Sequence, residues 1–206
     1  NKDIQVVLFD QEIHFESGQT ITEFIMSLDS PPVQALKNYQ KSPTSDDSEF
    51  MERAFIEMEN QKAWGLENEM KQILSQLKIT DLNAKMDNLS GGQIKRVALA
   101  KLLIETRVEH KHTLLIMDEP TNHLDLPSIE WLENYLQSYE GAVIIVSHDR
   151  RFLNASINKI VEVTGYQLHS YSGNYDFYLE EKELRNEIQQ NAFENQQQKI
   201  KQADQK

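Results

Sequence analysis

Two apolar runs, TLLIMDEP at 113–120 and AVIIVSHD at 142–149, narrow the possible folds most sharply. Each is short, rich in β-branched or aliphatic residues, and stops abruptly at charged or polar side chains. That is the pattern of a strand buried on both faces, as in a parallel sheet covered by helices. Between them, PSIEWLENYLQSY sets Ile129, Leu132, Leu136 and Tyr139 along one side of a helix. Strand, helix, strand is a βαβ unit, and such sheets bind ligands just beyond the carboxyl ends of their strands. Asp118, Glu119 and His148 fall at those ends. The chain is therefore expected to be α/β, with a mostly parallel sheet and flanking helices.

The remainder divides around this unit. Ile4 to Phe9 reads as a strand. Thr20 and Glu23 have capping-box spacing, so a helix is expected to start at Ile21. Ser30 followed by Pro31 and Pro32 suits the start of a second helix. KSPTSDDSEF reads as a polar loop. From Phe50 to Leu77 the apolar residues fall at helical spacing, with Gly65 as a break. Residues from about 20 to 79 thus form a small helical unit. From Leu179 onward there is no Gly or Pro, glutamine abounds and apolar residues are sparse. This predicts a long exposed helix, polar nearly all round.

In LSGGQIKRVALAKLL, 89–103, Ser90 and Gln93 again have capping-box spacing, which puts two glycines in the first helical turn. Free N–H groups at a helix start attract anions, and glycine lets a phosphate come close. By itself Ser-Gly-Gly is more often a tight turn into a helix. Likewise, Asp118 and Glu119 could be a solvated strand end, and His148 a structural histidine. Taken together they suggest a phosphate site, in which one acid holds Mg²⁺ and the other polarises a water for in-line attack.

Composition limits the alternatives. The 206 residues carry a net charge of −12 and no cysteine. The charge argues against general adhesion to a phosphate backbone. The missing thiols rule out disulfides and thiolate zinc sites within this sequence, and a reducing, cytoplasmic setting is expected. There is no run of about 18 apolar residues that could span a membrane and no visible secretory signal. The first residue is Asn1 rather than Met, so a piece of a longer protein is expected.

These residues resemble the ATP-binding cassette family. LSGGQ, 89–93, is similar to its signature motif, LLIMDEP to its Walker B strand with the following glutamate, and TNHLD, 121–125, to its D-loop. VSHDRRFL is similar to its switch-histidine region, and LFDQE to the segment carrying its Q-loop glutamine, here Gln11. DEPTNHLDLPSIEWLENYL and SGNYDFYLEEKELR narrow the resemblance to the first cassette of the ABC-F subfamily, and KAWGLENEMKQIL to its Uup-like branch. The resemblance implies residues 1–165 as the C-terminal portion of a cassette, with a helical signature subdomain at about 20–105 and a Walker B and switch core at about 106–165. Residues 166–206 would begin the interdomain linker helix.

By that resemblance Glu119 and His148 are catalytic, and Asp118 and Gln11 hold Mg²⁺, partly through water. Gln11, Ser90, Gly91, Gly92, Gln93 and Asp125 meet nucleotide. ATP and Mg²⁺ are the implied cofactors. The implied partners are a second cassette of the same chain, the ribosome with its RNA, and tRNA. A DNA-processing ATPase and the energising subunit of a transporter are the alternatives, and no membrane contact is expected. None of the seven glycines begins or completes a Walker A loop, G-x-x-x-x-G-K-[ST], so that loop is expected to precede Asn1. In the family's head-to-tail pairing, the acids serve this cassette's own ATP, and Ser90, Gly91 and Gly92 serve the ATP of the other. The 206 residues alone would then hold parts of two sites and bind ATP weakly or not at all. Isothermal titration with MgATP checks this; tight binding would contradict it.

Overall fold

The computed structural model describes residues 5–9, 12–44, 47–108 and 113–203, with side chains described up to 197. It divides into two compact units, 1–148 and 149–206. The boundary at 165 read from the sequence falls in the turn of a hairpin belonging to the second unit.

In the first unit, strands β1 (Gln5–Phe9), β2 (Thr113–Asp118) and β3 (Ala142–Val146) form a parallel sheet in the order β1-β2-β3. Leu8, Ile116 and Ile144 are in register across it, as are Phe9, Met117 and Ile145. The runs 113–120 and 142–149 do become neighbouring parallel strands. Two-sided burial, however, is not what the described residues adopt. Side chains alternate across a strand, and the face carrying Val7, Phe9, Leu115 and Met117 is buried, whereas Val6, Leu8, Ile144 and Val146 on the other face are exposed.

The helical unit comprises α1 (Ile21–Met26), α2 (Pro31–Lys41), α3 (Ser48–Asn60) and α4 (Leu66–Gln76). The expected box at α1 is present in both halves, with Thr20 Oγ1 accepting from Glu23 N and Glu23 Oε2 accepting from Thr20 N at 2.8 Å. Ser30 precedes α2 but makes no side-chain cap; Pro31 and Pro32 have no N–H to donate, and the Val33 N–H is not used. A single 3₁₀ turn, Ala63–Gly65, separates α3 from α4, at the break that Gly65 marks in the sequence.

Helix α5 (Gly91–Val108) joins the helical unit to the sheet. Between Val97 and Ile104 every side chain except Lys101 is buried. Such a helix packs on more than one side: α5 contacts α1, α4 and β1. Lys101 carries its ammonium over the Phe24 ring at 4.2 Å and donates to Ser27 Oγ at 2.7 Å. Helix α6 (Leu126–Gln137) crosses from β2 to β3. Its buried Tyr135 hydroxyl lies 2.7 Å from Thr106 Oγ1 of α5, and burial pushes its pKa up. Gly141 admits β3 beside β2, because a Cβ there would lie 2.7 Å from the Thr113 carbonyl oxygen.

In the second unit, α7 (Arg150–Ser156) is followed by the antiparallel hairpin β4 (Lys159–Thr164) and β5 (Gln167–Ser172), and then by α8 (Tyr175–Ala203). Gly165 and Tyr166 both have positive φ, as a two-residue hairpin turn of type I′ requires. Residue 173 must be glycine: its φ is 150°, and a Cβ there would stand 2.5 Å from the Phe177 ring. The first turns of α8 are held to the hairpin. Glu162 pairs with Lys182 and accepts from the Tyr178 hydroxyl at 3.1 Å, and Tyr171 packs edge-on to Tyr178. Further along, Ile188 and Phe193 are exposed, in keeping with the polar helix expected.

Leu103, fully buried in α5, is the sharpest test of this packing. Leu103→Ala in the full-length protein is expected to cost about 2–5 kcal/mol, read from urea unfolding followed by tryptophan fluorescence.

Candidate functional site

A 3₁₀ turn, Met86–Asn88, leads the chain to Leu89 and then to the start of α5. Gln93 N donates to Ser90 Oγ at 3.3 Å, and Ser90 N donates to Gln93 Oε1 at 2.9 Å, which completes the capping box. Ile94 N donates to the Ser90 carbonyl at 2.9 Å. Of the four N–H groups that a helix start leaves without an intrahelical acceptor, Gln93 is thus satisfied by the cap. The donors left facing outward are Gly91 and Gly92. Ser90 and Gly91 are exposed and Gly92 is half-buried. Two unspent donors at the positive end of an 18-residue helix favour an anion.

The acid pair stands at the end of β2. Asp118 is opposite Val146 in the register, and Glu119 N donates to the Val146 carbonyl at 2.8 Å. Glu119 has φ 48°, in the left-handed region, so the chain turns sharply as it leaves the strand. One carboxylate oxygen, Oε2, accepts from Ser147 Oγ at 3.4 Å. The other, Oε1, is buried and accepts no hydrogen bond, and it lies 3.6 Å from His148 Nε2. The Glu119 side chain is 17% exposed, whereas His148 is 98% exposed. A separation of 3.6 Å is too long for a hydrogen bond. An acceptor left unsatisfied in a buried setting costs about 1–3 kcal/mol, and a donated O–H from water would remove that cost.

Asp125 has a different occupation. It caps α6 by accepting from Ser128 N at 3.2 Å, and it pairs with Lys78. The Lys78 ammonium, and after it the Ser128 hydrogen bond, hold its pKa down at about 2. Ser128 Oγ donates to the Gln76 carbonyl at 2.7 Å, so the end of α4 and the start of α6 are joined twice. Lys78 closes α4 at φ 55°, a position usually given to glycine.

The structure therefore brings Asp118, Glu119 and His148 together at one sheet end and Ser90 to Gln93 at one helix start. Gln11 lies outside the described residues. Lys78, Ser147 and His123 were not singled out from sequence. Ser147 and His123 sit inside motifs already noted. Lys78 is 47 residues from its partner Asp125, and nothing local signals the pairing. Among the described residues no group of three or more His, Asp or Glu side chains is arranged to hold a metal ion. Mg²⁺ that arrives with a nucleotide needs only one or two carboxylates, since phosphate oxygens and water complete its shell. Asp118 at the end of β2 fits that smaller demand, which leaves the unsatisfied oxygen of Glu119 for a water.

The family profile described as "ABC transporter" matches residues 2–122, and an extension profile with the same description matches 161–205. The chain belongs to the ATP-binding cassette family. This pairing of cassette and extension is typical of its ABC-F members. The sequence is 41% identical over 190 residues to the uncharacterized ABC transporter ATP-binding protein YfmR of Bacillus subtilis, which covers 88% of this chain and 29% of that protein. It is 37% identical over 175 residues to the ATP-binding protein Uup of Haemophilus influenzae, covering 84% and 26%. It is 36% identical over 205 residues to the energy-dependent translational throttle protein EttA of the same organism, covering 95% and 36%. The chain thus spans between about a quarter and about a third of the length of these relatives. A solved ATP-binding subunit of an ABC transporter shares the fold, with a TM-score of 0.57 at 13% identity over 85% of this chain and 68% of that one.

The Lys78–Asp125 pair predicts a specific acid response. Asp125 is depressed from 3.8 to about 2, so its contribution to stability is complete above the ordinary carboxylate range and is lost as pH falls through the lower value. Lys78→Met is expected to be less stable than wild type near neutrality, with the difference shrinking between pH 3.8 and about 2. Urea midpoints measured from pH 6 downward check this; a constant difference would count against the pair.

Proposed function

We propose that the full-length protein is an ABC-F ATPase that couples ATP binding and hydrolysis to action on the ribosome, as a translation factor does. The observation that carries the ATPase reading is Glu119: a carboxylate turned out of a strand end at positive φ, one oxygen oriented by Ser147 and the other buried and unsatisfied beside His148. Support for the ribosomal part is the 36% identity to a relative named as a translational throttle, together with the cassette-plus-extension pairing. Among the described residues no helix is long and apolar enough to cross a membrane.

MgATP, when bound, supplies the electrophilic terminal phosphate and the metal's charge. In this reading Asp118 holds the metal, with Gln11 assisting through water. Glu119 Oε1 accepts a hydrogen bond from the attacking water and takes its proton. Ser147 keeps Oε2 from rotating into that role. His148, nearly fully exposed on the far side of Glu119, reaches outward to the terminal phosphate. The Ser90 hydroxyl and the Gly91 and Gly92 amides receive the phosphates of a second cassette's nucleotide, while Gln93 holds Ser90 in place through the capping box. Asp125, tied to Lys78, orders the loop between the acid and α6. Helix α8 carries six acidic and four basic residues, so it is not itself a basic stripe for RNA phosphate. RNA contacts in this reading belong to other parts of the full-length protein.

Glu119→Gln in the full-length protein is expected to lower ATP hydrolysis by about 10²–10⁴ while ATP binding persists, and the variant should co-sediment with ribosomes when ATP is present. Normal hydrolysis would remove Glu119 from the catalytic role. Loss of ribosome binding with retention on branched DNA would favour a DNA-processing ATPase instead.

A further inference from the structure

The two glycines at the start of α5 are not equivalent. A Cβ placed on Gly91 meets nothing within 4 Å, but one on Gly92 would lie 3.2 Å from Cβ, Cγ and Nδ1 of His123. The obstacle is the root of a side chain, fixed to the backbone, and not a flexible tip that can swing aside. His123 is itself held at φ 66°. It closes a turn that begins at Glu119, with Asn122 N donating to the Glu119 carbonyl at 3.2 Å and Leu124 N to the Thr121 carbonyl at 3.1 Å. Beyond the turn the chain is pinned by Asp125 to Lys78 and by Ser128 to Gln76. Before it, Glu119 N is pinned to Val146. A short turn fastened at both ends and closed by its own hydrogen bonds passes a displacement along.

We propose that His123 is a positioning residue: its ring, seated on Gly92, sets the spacing between the start of α5 and the turn that carries Glu119, and residue 92 is glycine to admit that ring. Gly91 has no such neighbour, and the amides of both glycines stay available to the ligand. The signature end of α5 and the acid of the Walker B strand then shift together, although they serve different nucleotides. This rests on the ATPase reading above, which gives Glu119 the water.

The test is a double-mutant cycle in the full-length protein, reading kcat and KM for ATP together with thermal unfolding. His123→Gly removes both the ring and its Cβ and suits the positive φ. Gly92→Ala and His123→Gly should each lower kcat with a smaller change in KM. The double variant should equal His123→Gly alone, recovering about fivefold or more over the product of the two losses. Gly91→Ala, which meets no side chain, should combine with His123→Gly multiplicatively. In thermal unfolding, Gly92→Ala should lower the midpoint when His123 is present and raise it when His123 is glycine, because alanine is the better helix former.

Wild-type kcat in His123→Gly, or losses that multiply in the Gly92→Ala double, would overturn the proposal while leaving the ATPase reading intact. A stability cycle without recovery of kcat would also overturn it, since the contact would then be structural only. If Gly92→Ala fails to fold, restoration of folding by His123→Gly supports the contact, and failure of the double to fold refutes it. A wild-type protein that does not hydrolyse ATP removes the ATPase reading and this proposal with it.

Discussion

Burial of α5 is the constraint on which the rest of the first unit depends. Seven of the eight side chains from Val97 to Ile104 are buried, and the helix contacts α1, α4 and β1. A helix clasped in this way cannot rotate or slide without opening apolar surface on several sides, at a cost of about 25 cal/mol per Å². Its C-terminal half therefore locks its N-terminal end in place. That end carries no large apolar residue for its first three positions and stays open. The free donors of Gly91 and Gly92 are aimed by packing that lies two turns away.

The segment from Asp118 to Ser128 is organised by a different kind of force. It has little apolar burial of its own, and its shape comes from local hydrogen bonds, two residues at positive φ, and two ties to the end of α4. Directional polar contacts can place a carboxylate closely while leaving an oxygen unsatisfied, which close-packed side chains seldom do. Glu119 Oε1 is in that condition. Unfavourable local states of this kind cluster at functional sites, which supports the role proposed for Glu119.

Much of this was legible from single residues. Both capping boxes, Thr20 with Glu23 and Ser90 with Gln93, form as their spacing requires, because a cap closes within four residues and needs no tertiary partner. The parallel pairing of β2 and β3 followed from two apolar runs and an amphipathic helix between them. The degree of burial did not follow. Ile144 and Val146 are as apolar as Leu115 and Met117, yet they are exposed, because they lie on the face opposite the packed one. Lys78 was invisible for the opposite reason: its role depends wholly on Asp125, far along the chain.

What the sequence alone determined is the chemistry and its local frame: a serine-capped glycine pair, two acids at a strand end, a histidine at the end of the next strand, and the family these motifs mark. Those features rest on interactions within a few residues, or on patterns that one strand or helix carries by itself. What only the tertiary structure decided is which of those groups are spent and which are free. Asp125 is spent on Lys78, Gly92 is pressed against His123, and one oxygen of Glu119 accepts no hydrogen bond. Such outcomes are set by contacts between segments distant in the chain, and local pattern carries no information about them.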